Sequence, residues 1–512
     1  MLAWLVAGSA WATPDLQPFA GTSYGEIQRG VEALGTSGDP RALAVLQAMK
    51  DGNLVVAPDG NVLIRDGDAL TDAATGSATT ATTTRPVRLN NNVRRAIDAA
   101  IGALRLFAPD PALRAAAAEA VFHSRDPADG PALDRAIDSE QDPDIRRTMQ
   151  QARAAITLAA PGPDNAALTA IATLRNRGDG EARGIIAATP SPSPAVATAI
   201  AAAIGAIEFR QQLLGYGQTL FYGLSLGSVL LLAAAGLAIT FGVMGVINMA
   251  HGELLMLGAY TTFVVQEVIR AHAPALFSSS LFIAVPAAFL VTGALGVLIE
   301  RGLIRFLYGR PLETLLATWG LSLVLQQAVR SVFGADNRNV GTPAWMSGTV
   351  EMAGLSLTIN RLTIIGFSIA VLTALILGLR RTPLGLQMRA VTQNRRMAAA
   401  MGIRTPWVDA LTFGLGSGLA GIAGVALSQI DNVSPNLGQG YIIDSFMVVV
   451  FGGVGNLWGT ALAALLLGVV NKVMEPVAGA VLGKVVVLVL IVLFIQRRPR
   501  GMFPIKGRAV ET

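Results

Sequence analysis

Cysteine is absent from this 512-residue chain, and histidine occurs only three times. The first absence excludes disulfides and thiolate metal sites but leaves the compartment open, because many extracytoplasmic proteins lack disulfides. The second leaves His123 with no other ligand-type residue at metal spacing, so it reads as structural. Charge is also scarce, at 14% of residues against 52% hydrophobic, for a net charge of +5. That positive excess lies largely in the second half, and no basic stripe interleaved with aromatics accompanies it. It reads as membrane topology and not as nucleic-acid affinity.

The scarcity of charge is uneven along the chain. From residue 13 to about 210 no apolar run reaches the roughly 20 residues needed to cross a bilayer, whereas from Leu213 onward such runs follow one another across short polar gaps. The reading is an all-α fold, with a soluble helical domain over 13–212, a polytopic membrane bundle over 213–505 and a cytoplasmic tail over 506–512. Residues 1–12 are apolar, too short to span, and end in Ala10-Trp11-Ala12, which predicts a signal peptide although no basic segment precedes them.

In the soluble half, Asp39-Pro40, Asp110-Pro111 and Asp142-Pro143 each stand before an apolar-periodic stretch. Asp supplies an N-cap and Pro tolerates the first helical position, so each pair predicts a helix start. Repetition of the unit predicts stacked helical hairpins of the HEAT type. Residues 54–64, turning through Pro58, Asp59 and Gly60, predict a β-hairpin, and the Thr- and Ala-rich run 76–84 predicts a flexible loop.

Apolar segments in the membrane half fall near 216–239, 249–269, 281–300, 314–333, 362–379, 410–430, 442–455, 460–475 and 481–495. The run 442–455 is short, flanked by glycines and interrupted by Asp444, which suits a re-entrant or bent element; about eight or nine spans are expected. Arginines concentrate in the gaps around 301–310 and 380–404 and in the tail from 497, which marks these as cytoplasmic. Counting back places the soluble domain outside.

Two motifs are discarded. Gly416-Ser417-Gly418-Leu419-Ala420-Gly421 matches a dinucleotide fingerprint but lies inside a spanning run with no preceding strand, where small residues serve helix packing. The run 479–485 resembles a P-loop with one residue too few and Val485 in place of the magnesium-binding hydroxyl. His251 and Glu253 also lack the spacing of a zinc helix motif.

Polar groups inside the apolar runs are the functional candidates, because they are costly there unless they face protein or a wet path. Asn248 and His251, three apart, are expected to share a helix face and direct hydrogen bonds toward one point, either lining a solute path or tying a helix break to its neighbours. Gly245, Gly252 and Glu253 are expected at a break or gate, with Glu253 at the cytoplasmic rim. Thr318, Gln326 and Gln327 are further path candidates. The segment 385–403 predicts a short cytoplasmic helix ended by Gly402, either a solvated basic face or a docking lever for a soluble partner.

The block from Asn248 through His251-Gly252-Glu253 to Gly258-Ala259-Tyr260, the helix from Arg389-Ala390 to Gly402-Ile403, and Phe451-Gly452-Gly453-Val454-Gly455-Asn456-Leu457-Trp458-Gly459 together resemble the permeases of branched-chain amino acid ABC importers. Met249 stands where Phe is usual. The likeness covers about 213–504; the soluble half has no counterpart in the short amino acid permeases and resembles the longer arrangement of urea ABC transporter permeases, which moves the expected solute to urea. The resemblance implies a non-enzymatic transport subunit of a bacterial-type inner membrane. It implies pairing with a second, different permease, two cytoplasmic ATPases and an extracytoplasmic solute-binding protein. ATP would sit on the partner subunits, with no cofactor or metal in this chain and no nucleic acid bound. Arg389, Ala390, Asn394, Arg395, Ala398, Gly402 and Ile403 would form the ATPase dock. The alternative solute is a branched-chain amino acid; an intramembrane hydrolase and a passive channel are the remote alternatives of other classes.

Overall fold

The computed structural model describes residues 15–503 apart from 38, 40, 68, 82 and 191. The signal-peptide segment 1–12, the tail 506–512 and Pro40 therefore lie outside the described residues. The chain divides into two compact units, Met1–Leu213 and Leu214–Thr512.

The first unit opens with helices α1 (Gln17–Ala20), α2 (Tyr24–Thr36) and α3 (Ala42–Lys50). Strands β1 (Leu54–Val56) and β2 (Val62–Asp66) then form the expected hairpin, with Leu54 opposite Ile64 and Val56 opposite Val62. It is part of a larger sheet. With β3 (Ala69–Asp72), β4 (Ala78–Thr79) and β5 (Arg85–Pro86) it makes five antiparallel strands in the order β4-β3-β2-β1-β5. The run 76–84, expected as a loop, thus contains an edge strand: short Thr-rich segments pair readily where a neighbouring strand offers its backbone.

Helices α4 (Asn91–Arg105), α5 (Pro111–Ser124), α6 (Gly130–Ser139), α7 (Pro143–Ala159), α8 (Asp164–Arg177) and α9 (Gly180–Ala187) follow. Asp110 and Asp142 cap α5 and α7 as their spacing predicts, accepting from the amides of Ala112 and Asp144, both at 2.9 Å. Asp39 does not act as an N-cap. Its carboxylate instead accepts from the Arg41 amide at 2.8 Å and pairs with that residue's guanidinium, and α3 starts later, at Ala42. Two apolar cores result, one around Phe19, Ile27, Leu46 and Ile97, the other around Phe122, Leu133, Met149 and Leu174.

Buried Glu140 joins α5 to the start of α7. It accepts from Arg114 Nε at 2.7 Å, from Nη2 at 3.1 Å, and from the amides of Gln141 and Asp142 at 3.0 Å each. The Arg114 hydrogen bonds hold its carboxyl below the ordinary glutamate range. A carboxyl lowered in the folded state stabilises fully above its unfolded pKa and loses that contribution as pH falls through the folded one. We therefore expect amide exchange in Pro111–Ser124 and Pro143–Ala159 of the full chain to quicken as pH falls below about 4.3, the ordinary glutamate value, after correction for intrinsic exchange. Glu140→Gln should remove that pH dependence and cost about 2 kcal/mol near neutrality.

The second unit is helical. Helix α10 (Pro194–Met244) belongs to both units, and α11 (His251–His272), α12 (Ser280–Gly302), α13 (Pro311–Phe333) and, after the exposed hairpin β6 (Thr349–Met352) and β7 (Leu355–Thr358), α14 (Ile359–Arg381) follow. Then come α15 (Pro383–Gln393), α16 (Arg395–Ala400), α17 (Thr405–Leu427), α18 (Leu437–Gly452) and α19 (Leu457–Arg497). Among the described residues six helical stretches are long and apolar enough to cross a membrane, against the eight or nine spans expected. The difference has three sources. Helix α13 has the length but carries polar residues, α18 is 16 residues long, and α19 counts once although Gly479, at φ 75° and ψ 162°, breaks it and Gly483 packs back on Met474.

The bundle is organised around α17, most of whose length is buried. The glycines that mimic a dinucleotide loop are contact points. A Cβ on Gly416 would lie 2.7 Å from the Gly236 carbonyl of α10, and one on Gly421 would lie 2.7 Å from the Ala288 carbonyl of α12. One on Gly424 would meet the Leu255 carbonyl of α11 at 2.0 Å. Small residues let the backbones touch, which supplies the dispersion energy that holds helices together where lipid removes any hydrophobic drive.

Candidate functional site

Helix α10 ends where Gly245 takes φ +70°, and α11 does not begin until His251, so Asn248 lies in a break between two helices. Asn248 and His251 therefore do not share a helix face. The Asn248 side-chain oxygen accepts from the Ala250 amide at 3.1 Å and shapes the turn into α11, while its buried Nδ2 has no hydrogen-bond partner among the described residues. His251 faces α10, where Nε2–H donates to the Ala233 carbonyl at 2.9 Å; Nδ1 is buried without a partner. The histidine thus ties α11 to α10 across Gly236, whose absent side chain leaves room for the ring.

Helix α13 explains the other polar candidates. Thr314, Thr318, Ser322 and Gln326 recur every fourth residue, all buried, while Leu312, Leu316, Val324 and Val332 are exposed. The helix is inverted relative to a soluble one: its polar stripe faces protein and its apolar face is left for lipid. Thr318 Oγ1 accepts from the Met249 amide at 3.1 Å, one turn from the point where Ser322 donates to Glu253 Oε1 at 3.0 Å. Tyr260 and Phe333 meet farther along, with ring centroids 4.7 Å apart, so α11 and α13 run side by side in the same direction.

Glu253, in the first turn of α11, is buried in the α11–α13 seam, where Ser322 offers it a hydroxyl. Its Oε2 lacks a hydrogen-bond partner, as does Nε2 of Gln326 on the next turn of α13. Gly252 lies against α18, where a Cβ would come within 2.4 Å of the Gly438 carbonyl. Gln327 is exposed and outside this seam. Glu253, Thr318 and Gln326 thus fall along one seam, whose end is marked by Asn248 in the turn that sends the Met249 amide to Thr318, while His251 and Gly252 face α10 and α18.

The segment 385–403 forms two short helices where one was expected, because Asn394 ends α15 and its side chain caps α16 by accepting from the Met397 amide at 2.9 Å. Gly402, at φ +88°, terminates α16. Arg389 donates to the Leu379 carbonyl at 2.6 Å, capping α14, and Gly385 permits that fold-back, since a Cβ there would collide with the same carbonyl. Ala398 is buried, Ala390 and Ile403 are half-buried, and Arg395 pairs with Asp409 of α17. These seven residues fix the segment's shape. Its exposed side chains include Leu386, Arg396, Met397 and Met401, which bond to nothing among the described residues, and Arg389, Asn394 and Arg395, which do.

Three groups escaped the sequence reading. Asp409, one residue before the apolar run it opens, is fully buried; Tyr308 joins it near Arg395; and Lys484 reaches buried Asp444 at 2.8 Å between α19 and α18. The signal for Asp409 was a lone carboxylate beside a gap crowded with arginines. Among the described residues no cluster of three potential metal ligands occurs.

The profile of the family described as branched-chain amino acid transport system / permease component matches residues 219–495. The chain belongs to this family. The high-affinity branched-chain amino acid transport system permease protein BraD of Pseudomonas aeruginosa is 32% identical over 294 residues, covering 56% of this chain and 95% of that protein. The corresponding permease proteins LivH of Salmonella typhimurium and of Escherichia coli are 31% and 30% identical over 301 residues, each covering 57% of this chain and 96% of theirs. No solved structure matches. As a member of this permease family the chain is a multi-pass membrane transport subunit, and the α11–α13 seam and the α15–α16 segment both lie inside the matched region. The first 218 residues lie outside it.

Proposed function

We propose that this chain is the membrane-spanning permease of an ATP-driven ABC importer of branched-chain amino acids. The observation that carries this is the family match over nearly the whole membrane half, together with a relative of which it covers 95%. It works beside a second, different permease, two cytoplasmic ATPases that hold the ATP, and an extracytoplasmic solute-binding protein, and contributes no covalent chemistry of its own. Binding energy and ATP act by stabilising different members of an outward-open and inward-open pair. Solute passes along the seam bearing Asn248, Thr318 and Gln326, and the Leu386, Arg396, Met397 and Met401 face meets an ATPase.

In this reading the chain crosses the inner membrane eight or nine times. The six long apolar stretches are joined by α13, by the second limb of α19, and by the shorter α18. Arginine-rich loops are cytoplasmic, and the first unit, a HEAT-type stack carrying a small sheet, is extracytoplasmic. Protease added to intact spheroplasts should remove that unit and leave Arg396 protected; cleavage at Arg396 with the first unit intact would invert the topology.

Urea is a second reading, favoured by one observation. The unpartnered donors in the seam are neutral carboxamides, Asn248 Nδ2 and Gln326 Nε2, which suit a carbonyl without a net charge. Competition separates the two. In vesicles holding the complex purified through this chain, leucine uptake should saturate and resist excess urea; saturable urea uptake untouched by leucine would replace the first reading with the second.

A further inference from the structure

We propose that a network joining buried Glu300 and Asp409 through Tyr308 and Arg395 is the joint through which movement of the α15–α16 segment enters the membrane bundle, with Arg395 as its positioning residue. The proposal rests on the importer reading above, in which that segment receives motion from an ATPase.

Helix α16 has six residues and buries only Ala398, too little to hold its own position. What fixes it is Arg395 at its first turn. The guanidinium bonds both oxygens of Asp409, Nη1 reaching Oδ1 at 3.2 Å and Nη2 reaching Oδ2, and lies 4.8 Å from the centre of the Tyr308 ring. A two-pronged pair fixes orientation as well as distance, which a lysine in the same place would not. Asp409 is fully buried, so separating the pair would strand a carboxylate without water, and the joint stays closed while its parts move.

Tyr308 extends the network to α12, donating to Glu300 Oε1 at 3.0 Å. A second strap runs beside it: Arg301, next to Glu300, lies 4.3 Å from the centre of the Trp407 ring on the first turn of α17. The loop helix is thereby fastened to the ends of α12 and α17 together. Those two helices touch backbone to backbone, with a Cβ on Gly414 only 3.1 Å from the Gly293 carbonyl and one on Gly296 3.2 Å from that of Phe413. Close-packed helices transmit displacement because no void absorbs it. Helix α17 in turn meets α11 at Gly424 and Leu255, two residues beyond Glu253. The contiguous route therefore runs from Arg395 through Asp409 and α17 to the seam on α11.

The test compares variants of the whole complex by co-purification, basal ATP hydrolysis and solute moved per ATP hydrolysed. Asp409→Asn, which keeps the shape but loses the charge that aligns Arg395, should co-purify with its partners and keep basal hydrolysis. It should lower solute per ATP roughly tenfold, within the range by which residues on a coupling route alter it. Tyr308→Phe keeps the ring under Arg395 and the Arg395–Asp409 pair but removes the hydroxyl that bonds Glu300 and meets Asp409, so its loss should be smaller. Asp409→Glu, which restores the charge, should recover part of the ratio. If uptake and hydrolysis fall together at a constant ratio, the network is a stability element and the proposal is wrong. An unchanged ratio in Asp409→Asn would also overturn it. A wild-type complex without ATP-driven uptake would instead overturn the importer reading, which is a different result.

Discussion

Replacing Met397 and Met401 together by aspartate is expected to abolish solute-stimulated ATP hydrolysis by the complex while the chain still inserts and folds. These side chains are 60% and 77% exposed in a segment whose Arg395, Arg389 and Asn394 are already engaged with Asp409, the Leu379 carbonyl and the Met397 amide. Exposed methionines next to Arg396 on α16, with Leu386 exposed on α15, offer deformable apolar surface with a cationic anchor, a composition suited to a protein groove. Side chains at the centre of such a contact cost about 2 kcal/mol or more each when lost, so the pair should weaken docking on the order of a thousandfold. Co-purification of the ATPases would report this directly. Stimulated hydrolysis at the wild-type level in the double variant would show that the loop meets its partner elsewhere.

Asn248→Ala should lower uptake by roughly one to two orders of magnitude. The residue has two parts with different work. Its oxygen shapes the turn into α11, and its buried Nδ2 is free to donate. Loss of a buried hydrogen-bond partner costs about 1 to 3 kcal/mol, and about 1.4 kcal/mol is a factor of ten. Asn248→Ser separates the parts, since a hydroxyl can still accept from the Ala250 amide but offers no carboxamide donor. The serine variant should assemble normally and transport as poorly as the alanine variant. Recovery of uptake by serine would mean that the residue serves only the turn.

The fold was legible wherever local chemistry decides it. The Asp110 and Asp142 caps, the hairpin through Gly60 and the helix stop at Gly402 each follow from one or two residues whose backbone preferences are strong. At Asp39 and in the 76–84 run a neighbour overrides local preference, Arg41 in one case and the edge of β3 in the other. In the bundle, apolar runs located the helices but not which side each turns inward. Thr318 and Gln326 were visible as polar residues, yet Ser322 was passed over, although it completes a four-residue period with them. The carboxylate of Glu253 is conspicuous in the sequence, but only the α11–α13 pairing shows the hydroxyl that receives it. Arg395 shows the same limit. An arginine in an exposed loop is normally free, and nothing local to residue 395 reveals that Asp409, across a turn and in the next helix, holds it.

If this chain moves solute as part of an ATP-driven pair of permeases, transport must run uphill at the expense of ATP. The complex purified through this chain, with its solute-binding protein present, is placed in sealed vesicles loaded with ATP on the side of the arginine-rich loops, and accumulation of radiolabelled leucine is followed. Leucine is expected to accumulate above the external concentration, and accumulation should vanish when ATP is replaced by a non-hydrolysable analogue. Equilibration that stops at the external concentration and ignores ATP would contradict the importer reading and leave a passive channel.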